Sequence, residues 1–348
     1  ALKPDFLHEV LAQCGGRRRE LYALRQASPA CKICVEAAEA EVYAFGGQDA
    51  IAGEILKTVE RLDIRTGKWE AMPSMRVRRD GCVAAFLAGR IFVCGGRNTL
   101  CRMIEEFDLA SRRWDCTPPS RNLCATRDRA AAAVVGGRLY VCGGEDPLAG
   151  EVHATVERID PRRPRGRGDC EQLPSRMNIA RRHCAAVARL GRMELVVFGG
   201  VRETMSQEED HGAEPQPLNT FETLDISKPG ARWRLTPATP RRGHSMVALQ
   251  GHIYFVAGFS ERDPDSDFRC YHVDNNEWIT FPLTPVARSN GGAVAAAGAV
   301  YSFGGVGAWE TGTLSFRSGE RFDPSIGTWA PLPDMVQGRQ SFSAAMAL

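Results

Sequence analysis

Six short apolar runs, each capped by two small residues, punctuate the chain: VYAFGG (42–47), IFVCGG (91–96), LYVCGG (139–144), LVVFGG (195–200), IYFVAG (253–258) and VYSFGG (300–305). Their last residues fall at 47, 96, 144, 200, 258 and 305, giving steps of 49, 48, 56, 58 and 47. A period near fifty restricts the chain to an array of like units, because one unit of that size cannot bury its own apolar faces. Runs of β-branched, aromatic and small residues ended by Gly suit strands covered on both faces. The paired Gly admits backbone angles and close approach that a side chain would block.

The rest of each unit recurs in phase. Downstream of the Gly pairs come ERLD (60–63), EEFD (105–108), ERID (157–160), ETLD (222–225) and ERFD (320–323), while the fifth unit departs with RCYH (269–272). A Trp four residues before a Pro follows, as Trp69/Pro73, Trp114/Pro118, Trp233/Pro237, Trp278/Pro282 and Trp329/Pro333. In the third unit Cys170 holds the Trp slot ahead of Pro174, which predicts looser packing there. DIRTGKW (63–69) and DPSIGTW (323–329) read as hairpins whose Asp bonds the turn backbone and whose Trp wedges between sheets. Each unit thus supplies four antiparallel strands, and the units bury their faces by closing into a ring.

An apolar run with Gly-Gly, then Glu-x-x-Asp, then Trp resembles the Kelch repeat over residues from about 41 to 348. The expected fold is therefore an all-β, six-bladed Kelch propeller of four-stranded antiparallel blades. The final stretch GRQSFSAAMAL (338–348) matches the first strand of a unit, as in RRDGCVAAFLAGR (78–90), and is expected to complete the first blade. CKICVEA (31–37) is the rival for that strand. Ahead of the propeller (31–348), residues 1–30 form a separate segment. PDFLHEVLAQC (4–14) carries apolar residues at helical spacing, and RRRELYALRQ (17–26) continues as a short basic helix. The segment resembles the end of the BACK domain in BTB-BACK-Kelch proteins, with an amphipathic cap on the propeller as the alternative.

One arginine recurs at the start of each innermost strand. Arg79, Arg127, Arg241 and Arg288 lie sixteen residues before the first small residue of their pair, Arg182 is matched by allowing one extra residue, and Arg339 begins the terminal strand. One reading is structural, with each guanidinium satisfying loop carbonyls. The other is a positive rim at the channel mouth that captures an acidic peptide through charge-assisted bonds. On the second reading, replacing Arg127 and Arg288 by Ala weakens capture without unfolding the ring. Trp309, in GVGAWETGTLSF (305–316), falls outside the repeat and is a candidate contact residue. The loops at 201–220 and 259–268 are acidic and read as solvated.

Composition narrows the function. The chain has 348 residues, 43% of them hydrophobic and 25% charged, with a net charge of +2 and no apolar run approaching membrane-spanning length. Twelve cysteines, several in equivalent repeat slots, read as small buried hydrophobes in a reducing, cytoplasmic setting. No aromatic stacking platform accompanies the arginines, so nucleic acid is not an expected partner. The histidines lack metal spacing, CKIC (31–34) stands alone, and no Ser-His-acid order or phosphate loop is present. No metal, cofactor or catalytic residue is expected. The family resemblance implies a binding module serving a Cullin-3 ubiquitin ligase as substrate receptor, through a BTB domain that this chain does not contain. An actin-binding cytoskeletal protein and a propeller enzyme acting on sugars are the alternatives.

Overall fold

Alternating short strands and Gly-bearing turns assemble as the repeat demands. The computed structural model describes residues 40–97, 102–115, 121–163, 170–189, 192–203, 216–259, 265–272, 275, 277–307 and 314–347. They form six four-stranded antiparallel sheets and contain no helix. The expected helices at 1–30, the rival strand at 31–37 and Trp309 lie outside the described residues.

Blade one joins Ser343–Ala347, Glu41–Phe45, Val59–Asp63 and Lys68–Met72, from the axis outward. Blade two holds Cys82–Leu87, Arg90–Gly95, Glu105–Asp108 and Arg113–Asp115. Blade three holds Ala131–Val135, Arg138–Cys142, Val156–Ile159 and Cys170–Gln172. Blade four holds Ala185–Arg189, Glu194–Phe198, Thr220–Asp225 and Arg234–Pro237. Blade five holds Ser245–Leu249, His252–Val256, Phe268–His272 and Glu277–Thr280. Blade six holds Gly292–Ala296, Ala299–Phe303, Gly319–Asp323 and Thr328–Leu332. In blade one the last strand of the chain pairs with the first described one, Ser343 opposite Phe45 and Ala347 opposite Glu41. The innermost strands contact one another in cyclic order, blade six touching blade one.

The core lies between blades. Val42 and Leu62 of blade one pack with Val294, Tyr301 and Phe303 of blade six, and equivalent clusters fill the other boundaries. Burying a side chain such as Phe45, Phe107 or Phe198 contributes roughly 1.5–3 kcal/mol over leaving it exposed. The Trp slot links neighbouring blades by hydrogen bonds. The indole N–H of Trp69 donates to the Pro333 carbonyl (3.0 Å), Trp114 to Pro73 (2.7 Å) and Trp329 to Pro282 (3.2 Å). The Asp that closes each Glu-x-x-Asp run accepts from the turn after it, as Asp63 does from the Arg65 and Thr66 amides. Between blades two and three, where Cys170 replaces Trp, the buried Arg121 occupies the boundary. Its guanidinium donates to Glu106 and to the carbonyls of Asp160, Pro161 and Arg163. Among the described residues no helix is long and apolar enough to cross a membrane.

Candidate functional site

The recurring arginine and the Glu-x-x-Asp run are two halves of one interaction. Arg79 donates to Glu105 (2.9 Å) and to the Gly95 carbonyl (2.7 Å). Arg127 donates to Glu157 (2.7 Å) and the Gly143 carbonyl (2.6 Å), and Arg288 to Glu320 (2.6 Å) and the Gly304 carbonyl (2.5 Å). Arg339 repeats the arrangement with Glu60 and Gly46. In blade five, where Arg269 takes the Glu position, Asp267 supplies the carboxylate to Arg241 from two residues upstream. While each side chain binds its own blade, the same residue's carbonyl accepts the amide of the preceding blade's second small residue. Gly47 donates to Arg79, Gly96 to Arg127 and Gly258 to Arg288. Each arginine is therefore a staple between two blades.

This geometry corrects the expected positive rim. Arg79, Arg127, Arg241, Arg288 and Arg339 are buried, with side-chain exposures of 0–6%. A guanidinium sealed beside its own carboxylate cannot meet an outside peptide, and removing it strands a buried charge. The register in blade four is also corrected. Arg181 takes the staple role, bonding Glu222 and the Gly199 carbonyl while its own carbonyl accepts from Gly144. The loop at 189–195 is two residues longer than in the other blades, not one. Arg182 occupies the next slot, buried against Glu145 (3.0 Å) and the Glu203 carbonyl (2.7 Å).

The residue two places after each staple forms a collar around the axis. Gly81 donates its amide to Ser341, Ser341 to Asn290, Asn290 to Gly243, Gly243 to His183, His183 to Arg129 and Arg129 back to Gly81, at 2.7–3.2 Å. The circle closes. All six residues hold positive φ, between 50° and 69°, which only Gly adopts without cost. Arg129, His183, Asn290 and Ser341 nevertheless occupy four of the places.

The single slot between staple and collar varies most in charge: Asp80, Asp128, Arg182, Arg242, Ser289 and Gln340. Five of these bridge the loop that follows the Gly pair in their own blade, and the Asp80 carbonyl accepts the Arg97 amide. They divide the mouth. On the side of blades two and three, Asp128 pairs with Arg129 (3.0 Å) and Arg97 (3.5 Å), and burial together with Asp128 pushes the Asp80 carboxyl up. On the side of blades four and five, burial holds His183 well below the usual imidazole range, reinforced by Arg129, Arg182, Arg242 and Arg97. Below the collar the channel is a cavity of about 190 Å³ walled by small residues such as Ala84, Ala132, Ala186, Ser245 and Ala293.

The Kelch motif matches residues 34–76, 78–121, 126–165, 240–282 and 287–336, together more than half of the chain. The chain belongs to the Kelch-repeat family. Its relatives include a putative F-box/kelch-repeat protein of Arabidopsis thaliana, 40% identical over 95 residues, covering 25% of this chain and 23% of the relative. A second F-box/kelch-repeat protein of that plant is 30% identical over 123 residues, covering 34% of this chain and 29% of its own. The Kelch chain thus aligns with less than a third of the length of these relatives. The solved structure of YjhT superposes with a TM-score of 0.64 at 14% identity, covering 79% of this chain and 89% of that one, which shows a shared fold.

Among the described residues expected to contact a partner, Arg182 is the one that lies in the variable slot, and its side chain is buried there. The collar and the variable slot escaped sequence reasoning, although one signal marked them: the repeat loses its uniformity at the two positions after its most uniform arginine. The seven described cysteines are free, and burial pushes Cys82 up to about 12 and Cys184 up to about 11, so both sit as neutral thiols.

Proposed function

We propose that this Kelch propeller is a non-catalytic protein-interaction module that captures a partner segment at the collar mouth. The observation that carries the reading is the pairing of an unvarying arginine with two adjacent slots whose residues differ from blade to blade. Arg129, Asn290 and Ser341 of the collar and Arg242 and Gln340 of the slot are partly exposed, and a rigid ring that displays different side chains at one opening suits recognition. The partly exposed Arg97, Arg129 and Arg242 around His183 favour an acidic segment.

The further step is a role as the substrate-binding part of a ubiquitin ligase. Relatives named F-box/kelch-repeat proteins favour an F-box type of assembly, and they lend no support to the Cullin-3 partnership expected from the sequence. Titration of the full chain with an acidic peptide and with its Lys-substituted counterpart tests the mouth. The acidic peptide binds, and His183→Gly with Asn290→Gly and Arg242→Gln abolishes that binding without lowering the melting temperature appreciably. Equal binding of both peptides, or no effect of the triple variant, refutes the reading.

A further inference from the structure

The irregular boundary between blades two and three gathers donor atoms that the repeat does not need. Cys170 stands opposite Ile159 in the slot where Leu62, Phe107, Tyr271 and Phe322 face Trp. Its Sγ donates to Glu157 Oε2 (3.2 Å) and lies 4.0 Å from Cys124 Sγ. Cys124 comes from the loop between the two blades and is exposed. One donor atom from each of Cys124, Glu157 and Cys170 lies within 4.8 Å of the others.

We propose that Cys124, Cys170 and Glu157 form a site for a thiophilic divalent cation of the zinc class. With Zn–S near 2.3 Å and Zn–O near 2.0–2.2 Å, tetrahedral coordination sets the two sulfurs about 3.8 Å apart and sulfur and oxygen about 3.6 Å apart. The observed 4.0 and 3.2 Å lie within a few tenths of an ångström of both. Glu157 keeps its other contacts on loading. Oε1 serves Arg127 and the Ala125 amide, Oε2 accepts the Cys124 amide, and only the Oε2 position now facing the Cys170 thiol turns to the metal.

Charge balances as well. Binding releases one proton from each thiol, the two thiolates neutralise the dication, and Arg127 continues to neutralise Glu157. The fourth position opens on the exposed Cys124 side and takes water.

The probe is Co(II), followed by Zn(II) competition, on the full reduced chain and on a Cys31→Ser/Cys34→Ser background that removes the separate Cys-x-x-Cys pair. The inference predicts one equivalent of Co(II) with a thiolate-to-cobalt charge-transfer band in both backgrounds. Cys124→Ser and Cys170→Ser each abolish the band, and Zn(II) bleaches it and raises the melting temperature only where both thiols remain. Cys124→Ser alters an exposed side chain, so it stays informative if Cys170→Ser is unstable. A band that survives Cys124→Ser, a band confined to chains with Cys31 and Cys34, or loss of two thiols to a disulfide in place of metal uptake overturns the inference.

Discussion

Arg339 and Glu60 stand 279 residues apart in the chain and meet in a buried ion pair at 2.5 Å. The Arg339 carbonyl simultaneously accepts the Gly305 amide at 2.8 Å, so one residue fastens blade six to blade one. Glu60 also accepts the amides of Val336 (2.6 Å) and Gln337 (3.1 Å), and it thereby fixes the loop that presents the arginine. Arg339→Ala is expected to cost about 3–5 kcal/mol, because Glu60 is left charged and buried. Pairing Arg339→Met with Glu60→Leu should recover only the part of that loss that comes from the stranded charge, because the Val336 and Gln337 amides lose their acceptor. Urea denaturation of the three proteins checks both expectations, and equal midpoints for wild type and Arg339→Ala would contradict them.

The carboxylates of these pairs do not all sit alike. Burial raises Glu157, but the Arg127 charge and hydrogen bonds from Arg127, the Cys124 amide and Cys170 outweigh it and hold the group below the usual range. Burial wins at Glu320, which Arg288 opposes, and its carboxyl is pushed up. Glu320→Gln should therefore destabilise the ring less than Glu157→Gln. The same denaturation series at pH 7 reads the order, and the reverse order would contradict it.

Acid sensitivity should arise in part from His244. Burial, with Arg241 and Arg181 nearby, lowers its imidazole to about 3, and its ring packs 5.0 Å from the Phe198 ring. The unfolded chain takes up this proton near pH 6.5 and the folded chain does not. Stability from this group is thus intact above about pH 6.5 and falls as the pH drops toward 3. The loss between pH 7 and 5 should be about 2 kcal/mol for this group alone. His244→Leu should shrink the difference in unfolding free energy between those two pH values. An undiminished difference would show that His244 is not its source.

Collar backbone and collar side chains should separate experimentally. His183→Gly and Asn290→Gly convert positive-φ residues into the residue already present at Gly81 and Gly243, so melting temperatures should stay near wild type. Gly81→Ala should be costly, since φ is +69° and a Cβ would lie 2.1 Å from Asp128 Oδ1. Thermal melts of the three variants give the answer directly. A stable Gly81→Ala would mean that the collar does not constrain the ring.

Much of the fold was legible because local chemistry and global closure demand the same residues. Gly47 must be small where the Gln340 carbonyl comes within 2.5 Å of a would-be Cβ, and Trp114 must reach the Pro73 carbonyl. The blade count, strand order and turn Asp all follow from such local needs. The site was less legible, since an arginine that recurs in every blade reads identically whether it faces solvent or a buried glutamate. Arg127 and Glu157 are each visible in the repeat, yet nothing in either segment says that they touch. Arg181 and Arg182 cannot be told apart from the sequence, because the two residues added at 189–195 cannot be placed before the strand register is known. Cys124 and Cys170 meet only through the packing of two blades.

The central claim is that the unvarying arginines hold the ring and the partly exposed collar residues beyond them face the partner. Thermal unfolding of the Arg127→Ala/Arg288→Ala double variant tests it most directly. The account predicts a large fall in melting temperature, or no cooperative fold at all, as two buried carboxylates lose their partners. A double variant that melts like wild type and only binds an acidic peptide less well would contradict it.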